Sequence, residues 1–147
     1  MGQLNIPDFS RVYVDTAVII YTVESNVDYW TLLQPFWSKF QAGEIEIISS
    51  ELTLMEVLVR PLRINDMSLV TDYEQLLLST QIELVPINQE ILREAARLRS
   101  QTSLKTPDAI HAASHLIASC NLFLTNDKGF RNVPNLSIVV LSEVLAQ

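Results

Sequence analysis

Short runs of β-branched and aromatic residues alternate along this chain with segments whose apolar residues recur at helical spacing. This alternation is the strongest constraint on the fold, because a strand followed by a helix usually returns to a parallel neighbouring strand. Strands are predicted at residues 11–14, 46–48, 82–85, 122–124 and 138–141. Helices are predicted at residues 30–40, 52–59, 69–78, 91–98 and 110–117. The pattern favours an α/β fold with a central, mainly parallel sheet of about five short strands flanked by helices.

The length and composition indicate a single domain spanning residues 1–147. One hydrophobic core typically supports about 100 to 200 residues. Hydrophobic residues make up 48% of the chain and charged residues 18%, with three glycines, which is typical of a compact globular protein. No internal repeat, low-complexity tract or long linker divides the sequence.

The sequence also predicts a cytoplasmic location without a membrane partner. No run approaches the roughly 20 apolar residues that span a bilayer, and the start MGQLNIPDFSR lacks the features of a signal peptide. The single cysteine, Cys120, cannot form an internal disulfide, which agrees with a reducing compartment. We expect this thiol to pack in the core and assign it no chemistry.

The net charge of −7 argues against a broad basic surface for tight, salt-dependent binding of nucleic acid. Several acidic side chains could nevertheless converge on a cation. A bound metal ion reverses the local field and itself attracts phosphate. The overall charge therefore does not exclude a nucleic-acid substrate.

Two aspartates directly follow predicted strands. Asp15 ends the run VYVD, and Asp127 follows the run LFLTN and precedes Lys128 and Gly129. Sites of parallel sheets lie beyond the carboxyl ends of the strands, so both acids are expected to face one cleft. Each also has a structural interpretation, because Asp15 suits the N-cap of a following helix and Asn-Asp-Lys-Gly suits a turn.

Two further acids fall on predicted helices. In KTPDAIHAASHLIAS, Thr106 can cap a helix and Asp108 lies in its first turn, where a carboxylate complements the helix dipole. Glu56 lies in SSELTLMEVLVRPL among neighbours that are nearly all apolar. Because burial of an unpaired carboxylate is costly, Glu56 needs a metal ion or a partner such as Arg60 or Arg63, unless it faces the solvent.

Carboxylate ligands suit Mg²⁺ or Mn²⁺, which are hard cations that bind oxygen and retain water. Zinc would instead require histidine or cysteine. His111 and His115 are four positions apart, but no glutamate lies between them and the chain has only these two histidines. A magnesium or manganese site is therefore expected, and a zinc site is not.

Four runs of the sequence together resemble the PIN-domain family, and more narrowly the VapC-like toxins of bacterial toxin–antitoxin pairs. The runs are VYVDTAVIIY, LTLMEVLVRPL, TPDAIHAA and FLTNDKGF, in the family's order and at similar separations. They cover the chain nearly end to end. The resemblance implies a PIN-like three-layer fold and a metal-dependent endoribonuclease activity.

The resemblance also implies the site residues. The acids that would hold one or two Mg²⁺ or Mn²⁺ ions are Asp15, Glu56, Asp108 and Asp127. Thr125 matches the family's hydroxyl residue beside the last acid and would orient a carboxylate or a metal-bound water, with capping of the strand end as the alternative. A bound ion lowers the pKa of its water and stabilises charge on the phosphate. The implied products carry a 5′ phosphate and a 3′ hydroxyl, and His111 is expected to pack beside the site.

The partners implied by the resemblance are RNA, a small cognate antitoxin and a second copy of the chain in a homodimer. The RNA is expected to be single-stranded or looped. The antitoxin would insert a segment that blocks the acidic groove. Lys105, Lys128 and Arg131 flank the acidic runs, and they either hold RNA phosphates or are simply solvated.

One aromatic-rich segment leaves two interpretations open. Trp30, Leu33, Phe36 and Trp37 recur at helical spacing. They form either an exposed groove for a partner's amphipathic helix or part of the core.

Two other functions fit parts of the pattern. A non-catalytic PIN-like protein would use the same surface only to bind a partner or RNA, but the presence of all four acids argues against it. A phosphatase with a nucleophilic aspartate would carry a second aspartate two positions after Asp15, where Ala17 stands. A metal-dependent ribonuclease is therefore the expected function.

Overall fold

Five short parallel strands form the centre of the computed structural model, which describes residues 2–147. The strands are β1 (Arg11–Val14), β2 (Glu46–Ser50), β3 (Glu83–Val85), β4 (Leu122–Thr125) and β5 (Ile138–Val140). They pair in the order β3-β2-β1-β4-β5, and every pairing is parallel. The predicted α/β fold with a parallel sheet of five strands is confirmed.

Helices cover both faces of this sheet. They are α1 (Thr16–Val23), α2 (Trp30–Gln41), α3 (Glu51–Arg63), α4 (Met67–Leu78), α5 (Gln89–Gln101), α6 (Thr106–Ile117) and α7 (Leu141–Leu145), with a 3₁₀ helix at Lys128–Asn132. Among residues 2–147 no helix is both long and apolar enough to cross a membrane.

The alternation of side chains along β1 divides the core into two layers. Val12 and Val14 face one cluster, which includes buried residues of α1, α2 and α4, whereas Tyr13 faces a second cluster with α5 and α6. All three side chains are completely buried. Because successive strand residues point to opposite faces, a central strand that is buried on both sides must be apolar throughout.

Several element boundaries differ from the prediction. The segment TAVIIYTV was not predicted as a helix, because six of its eight residues are hydrophobic and it shows only weak helical periodicity. Helix α3 continues beyond residue 59 through Pro61, which is buried inside the helix. Leu141 was predicted at the end of a strand, but it begins α7.

The aromatic-rich segment of α2 belongs to the core. Leu33 and Phe36 are almost fully buried and Trp37 is nearly so, and Trp30 packs against the same cluster. The interpretation of these four residues as an exposed groove is therefore wrong. Cys120 is partly buried and packs against the second cluster, close to the expected core position.

Candidate metal and nuclease site

Polar side chains collect at the carboxyl ends of β1 and β4, which are neighbours in the middle of the sheet. Val14 pairs with Leu124, and the amide of Asp15 donates to the carbonyl of Leu124 at 3.2 Å. This register places Asp15 beside Thr125, although 110 positions separate them in the chain. Parallel sheets commonly form ligand sites at such strand ends.

Asp15 is a nearly buried carboxylate with one unpaired oxygen. Its side chain accepts a hydrogen bond from the hydroxyl of Thr125 through Oδ2. Oδ1 is buried and finds no hydrogen-bond partner within residues 2–147. Asp15 occupies the N-cap position of α1, and the backbone amide of Val18 lies close enough to lower its pKa, but within residues 2–147 the side chain accepts no capping hydrogen bond of normal geometry. A buried polar atom without a partner is uncommon in folded proteins and requires an explanation.

The pKa of Asp15 is raised from 3.8 to about 6. Burial is the main cause, since it disfavours the charged form. The hydrogen bond from Thr125, the nearby His111 and the backbone amide of Val18 oppose this shift, and the negative charge of Asp127 adds to it. Asp15 therefore occupies a position where an ionised carboxylate lacks sufficient compensation from the protein.

Glu56 projects from α3 and is held by two donors on one oxygen. Its Oε1 lies 2.6 Å from Oγ1 of Thr16 and 2.8 Å from Nε2 of His111. Neither arginine considered in the sequence analysis pairs with it, and Arg60 instead lies 3.3 Å from Glu24. Burial raises the pKa of Glu56, but the hydrogen bonds from His111 and Thr16 outweigh burial and leave the pKa below its usual value.

Asp108 lies in the first turn of α6 and is half-buried, as the sequence predicted for its position. The N-cap of α6 is Lys105 rather than Thr106, and Thr106 accepts a hydrogen bond from Arg99 at 3.0 Å. Burial raises the pKa of Asp108, and the charge of Asp127 raises it further. The negative charge of Asp127 thus disfavours the ionised form of Asp108 in the first turn of α6.

Asp127 forms the turn that the sequence predicted, and its charge also acts on Asp15 and Asp108. Its Oδ1 accepts a hydrogen bond from the amide of Gly129 at 2.8 Å. Its own amide donates to Oγ1 of Thr125 at 3.0 Å, so Thr125 connects Asp127 to Asp15. The turn and the acidic cluster are therefore compatible roles for one residue.

The four acids interact electrostatically but do not form a closed coordination shell. The charge of Asp127 acts on both Asp15 and Asp108, and that of Glu56 acts on Asp108. Within residues 2–147, no three His, Cys, Asp or Glu side chains are close enough together to hold one ion. Like charges repel, and three of the acids direct an oxygen to a protein donor.

The donor chemistry nevertheless fits a hard divalent cation. Carboxylate oxygens are the ligands that Mg²⁺ and Mn²⁺ prefer, and the unpaired Oδ1 of Asp15 is a buried oxygen without a compensating charge. Burial and the negative charge of Asp127 raise the pKa values of both Asp15 and Asp108.

Three residues in direct contact with the site were not predicted to take part in it. Tyr13, Thr16 and His111 form hydrogen bonds that lead to Glu56. A partial signal was present for His111, because it lies three positions after Asp108 and hence on the same face of the helix. Tyr13 gave no signal, since an aromatic residue in a strand is ordinarily a core residue.

The basic residues that flank the acidic runs differ in their contacts. Arg131 forms an ion pair with Glu143, and Lys128 lies 3.9 Å from the same carboxylate. Lys105 lies close enough to Asp108 to lower the pKa of that acid. Of the three, Lys105 is the cation whose charge acts on the site.

The chain is a parallel α/β protein in which Asp15 and Asp127 follow the two central strands and interact electrostatically, while the charges of Asp127 and Glu56 act on Asp108. The chain belongs to the PIN domain family, whose sequence profile matches residues 12–136. No curated protein sequence matches the chain.

Solved structures of low sequence identity share this fold. A VapBC2 complex from Rickettsia felis, bound to a DNA fragment from its promoter, is similar with a TM-score of 0.69 and 16% identity, covering 88% of this chain and 98% of that one. A toxin–antitoxin complex from Klebsiella pneumoniae has a TM-score of 0.65 and 23% identity, covering 88% and 96%. PAE2754 from Pyrobaculum aerophilum has a TM-score of 0.54 and 16% identity, covering 94% and 98%.

Proposed function

We propose that this chain is a Mg²⁺- or Mn²⁺-dependent endoribonuclease and the toxin of a type II toxin–antitoxin pair. The proposed ligands of one or two ions are Asp15, Glu56, Asp108 and Asp127. Membership of the PIN domain family supports the nuclease class.

The observation that carries the proposal is the state of Asp15. Its carboxylate is nearly buried, Oδ1 accepts no hydrogen bond from the described residues 2–147, and its pKa is raised to about 6. A purely structural acid in this position would acquire a donor or be replaced by an amide, because an uncompensated charge is costly. A carboxylate that receives its compensation from a cation explains this arrangement.

The protein's own residues would prepare the site. The hydroxyl of Thr125 fixes Oδ2 of Asp15 and leaves Oδ1 free, and Glu56 is fixed in a similar way through Oε1. Asp108 and Asp127 add charge that attracts a cation. A bound divalent ion supplies Lewis acidity, lowering the pKa of water and neutralising charge on the phosphate.

The proposed partners are an RNA, an antitoxin and a second copy of the chain. Two of the structurally similar proteins are complexes of a toxin with an antitoxin, which supports the toxin assignment. The net charge of −7 would favour an antitoxin with a basic segment that reaches the acidic site.

The test is cleavage of a cellular RNA pool by purified protein with Mg²⁺, Mn²⁺ or EDTA. We expect cleavage with either metal, products with a 5′ phosphate, and no cleavage in EDTA. The double variant Asp15→Asn, Asp108→Asn should lose cleavage by 100-fold or more, on the order of the loss caused by removal of one electrostatic contributor in other hydrolytic sites. Asp72→Asn, an exposed acid on α4, is the matched control and should cleave like wild type.

Equal cleavage by wild type and the double variant would contradict the proposed site. If neither cleaves RNA and calorimetry detects no binding of millimolar Mg²⁺, the protein is a non-catalytic PIN-like binding protein instead. The toxin assignment has a separate test, since induced wild-type protein should arrest growth of a host cell and the double variant should not.

A further inference from the structure

A buried line of hydrogen bonds leads from β1 to the metal site through Tyr13, His111 and Glu56. The hydroxyl of Tyr13 lies 2.7 Å from Nδ1 of His111, and Nε2 of His111 lies 2.8 Å from Oε1 of Glu56. Tyr13 is fully buried and His111 is 3% exposed. The imidazole is therefore held between a phenol and a carboxylate, away from bulk solvent.

The direction of each hydrogen bond follows from the chemistry of the three groups. A phenol carries its proton at neutral pH, and the hydroxyl of Tyr13 can donate it to Nδ1 of His111. When Nδ1 of His111 accepts this proton, the neutral ring carries its own proton on Nε2, which faces Glu56. The opposite tautomer would set a lone pair of Nε2 against the carboxylate of Glu56.

The two carboxylate oxygens of Glu56 differ in their hydrogen bonds. Oε1 accepts from both His111 and Thr16, whereas Oε2 accepts no hydrogen bond from residues 2–147. The side chain is 26% exposed, so Oε2 can reach a ligand. Asp15 shows the same division, with Oδ2 held by Thr125 and Oδ1 free.

We propose that Tyr13 and His111 are positioning residues that hold Oε1 of Glu56 and thereby present Oε2 to the metal ion. This inference rests on the proposed function, because it assumes that Glu56 binds a cation. Residues that orient a metal ligand commonly contribute 10- to 100-fold to metal affinity. The two residues act through Glu56 and touch neither metal nor substrate.

The first test is the tautomer of His111 in the wild-type protein without metal. Two-bond ¹H–¹⁵N correlation spectra at pH 8 distinguish a protonated from an unprotonated ring nitrogen. We expect the proton of His111 on Nε2 and none on Nδ1. Tyr13→Phe removes the donor to Nδ1, so that only the contact with Glu56 then favours the proton on Nε2, and the share of this tautomer should fall.

The second test compares Mg²⁺ affinity by calorimetry in two variants of His111. His111→Gln places an amide donor close to the position of Nε2 and should bind Mg²⁺ within about threefold of wild type. His111→Asn is shorter and cannot reach Glu56, so its affinity should fall 10- to 100-fold. Rescue by glutamine would not be expected if the imidazole served only to fill space.

His115→Gln is the matched control. His115 lies one turn further along α6, is equally buried and packs against the same ring of Tyr13, but among residues 2–147 it forms no hydrogen bond with an acid. We expect unchanged Mg²⁺ affinity in this variant. Cooperative urea unfolding of all variants would confirm that they are folded.

The outcomes separate this inference from the proposed function. A proton on Nδ1 of His111, or wild-type Mg²⁺ affinity in His111→Asn, would overturn the positioning role while leaving the nuclease intact. If wild type itself binds no Mg²⁺ at millimolar concentration, both proposals fail. Loss in His111→Asn with rescue in His111→Gln supports the inference.

Discussion

Replacing Asp15 with asparagine removes a charge that the folded protein compensates poorly, and this change should stabilise the metal-free protein. Asp15 is 8% exposed, and its pKa is raised from 3.8 to about 6. The difference of about two units, at about 1.36 kcal/mol per unit, corresponds to about 3 kcal/mol of cost for the ionised form. Asparagine has nearly the same shape and carries no charge, so Asp15→Asn avoids this cost.

The stabilisation should depend on pH in a defined direction. Because the pKa of Asp15 is higher in the folded state, the folded protein binds a proton between about pH 4 and pH 6 that the unfolded chain has released. The contribution of Asp15 to stability therefore decreases as the pH rises through this window and is lowest above about pH 6. The difference between Asp15→Asn and wild type should be near zero at pH 4 and reach up to about 3 kcal/mol at pH 7.5.

Urea and thermal unfolding in EDTA measure this difference. A stabilisation of about 3 kcal/mol corresponds to a rise in Tm of roughly 6–12 °C for a chain of this size. Asp72→Asn removes an exposed aspartate of α4 and should change stability by less than about 0.5 kcal/mol. Mg²⁺ at ten times its Kd should stabilise wild type by about 1.4 kcal/mol and Asp15→Asn by much less.

A variant Asp15→Asn that is less stable than wild type at pH 7.5 in EDTA would refute this reasoning. So would a stability difference that stays constant between pH 4 and pH 7.5. Either result would mean that the protein itself compensates the buried charge, and the principal support for a cation at Asp15 would be lost.

Three further predictions follow from the same contacts. Thr125→Val removes the hydroxyl that donates to Asp15, so the pKa of Asp15 should rise further, and calorimetry should show Mg²⁺ binding lost at a higher pH than in wild type. Asp127→Asn removes a negative charge, so the pKa values of Asp15 and Asp108 should both fall in a carboxyl NMR titration; unchanged values would show that the acids do not interact. Asn126→Ala breaks two hydrogen bonds to tyrosine hydroxyls and one from a backbone amide, and it should cost about 2–3 kcal/mol in urea unfolding. A loss below about 0.5 kcal/mol would contradict this last role.

The local pattern of the sequence determined most of the fold. Side chains repeat their direction every two residues in a strand and every 3.6 residues in a helix, and this pattern depends only on neighbouring residues. The positions of the five strands and of most helices along the chain could therefore be predicted. The rule that parallel strands share a carboxyl edge then placed Asp15 and Asp127 at a common edge. The pattern failed at α1, because TAVIIYTV is mostly hydrophobic and its helical periodicity is weak.

The tertiary structure alone decided what each carboxylate contacts. Thr125 reaches Asp15 across 110 positions because β1 and β4 are paired in one particular register. His111 reaches Glu56 across 55 positions because α3 and α6 meet at the same edge of the sheet. Contacts of this kind depend on how whole helices and strands pack against one another. The sequence of a single segment does not determine that packing. The sequence therefore predicted on which elements the four acids lie, whereas the packing determined which of their oxygens accept hydrogen bonds from the protein.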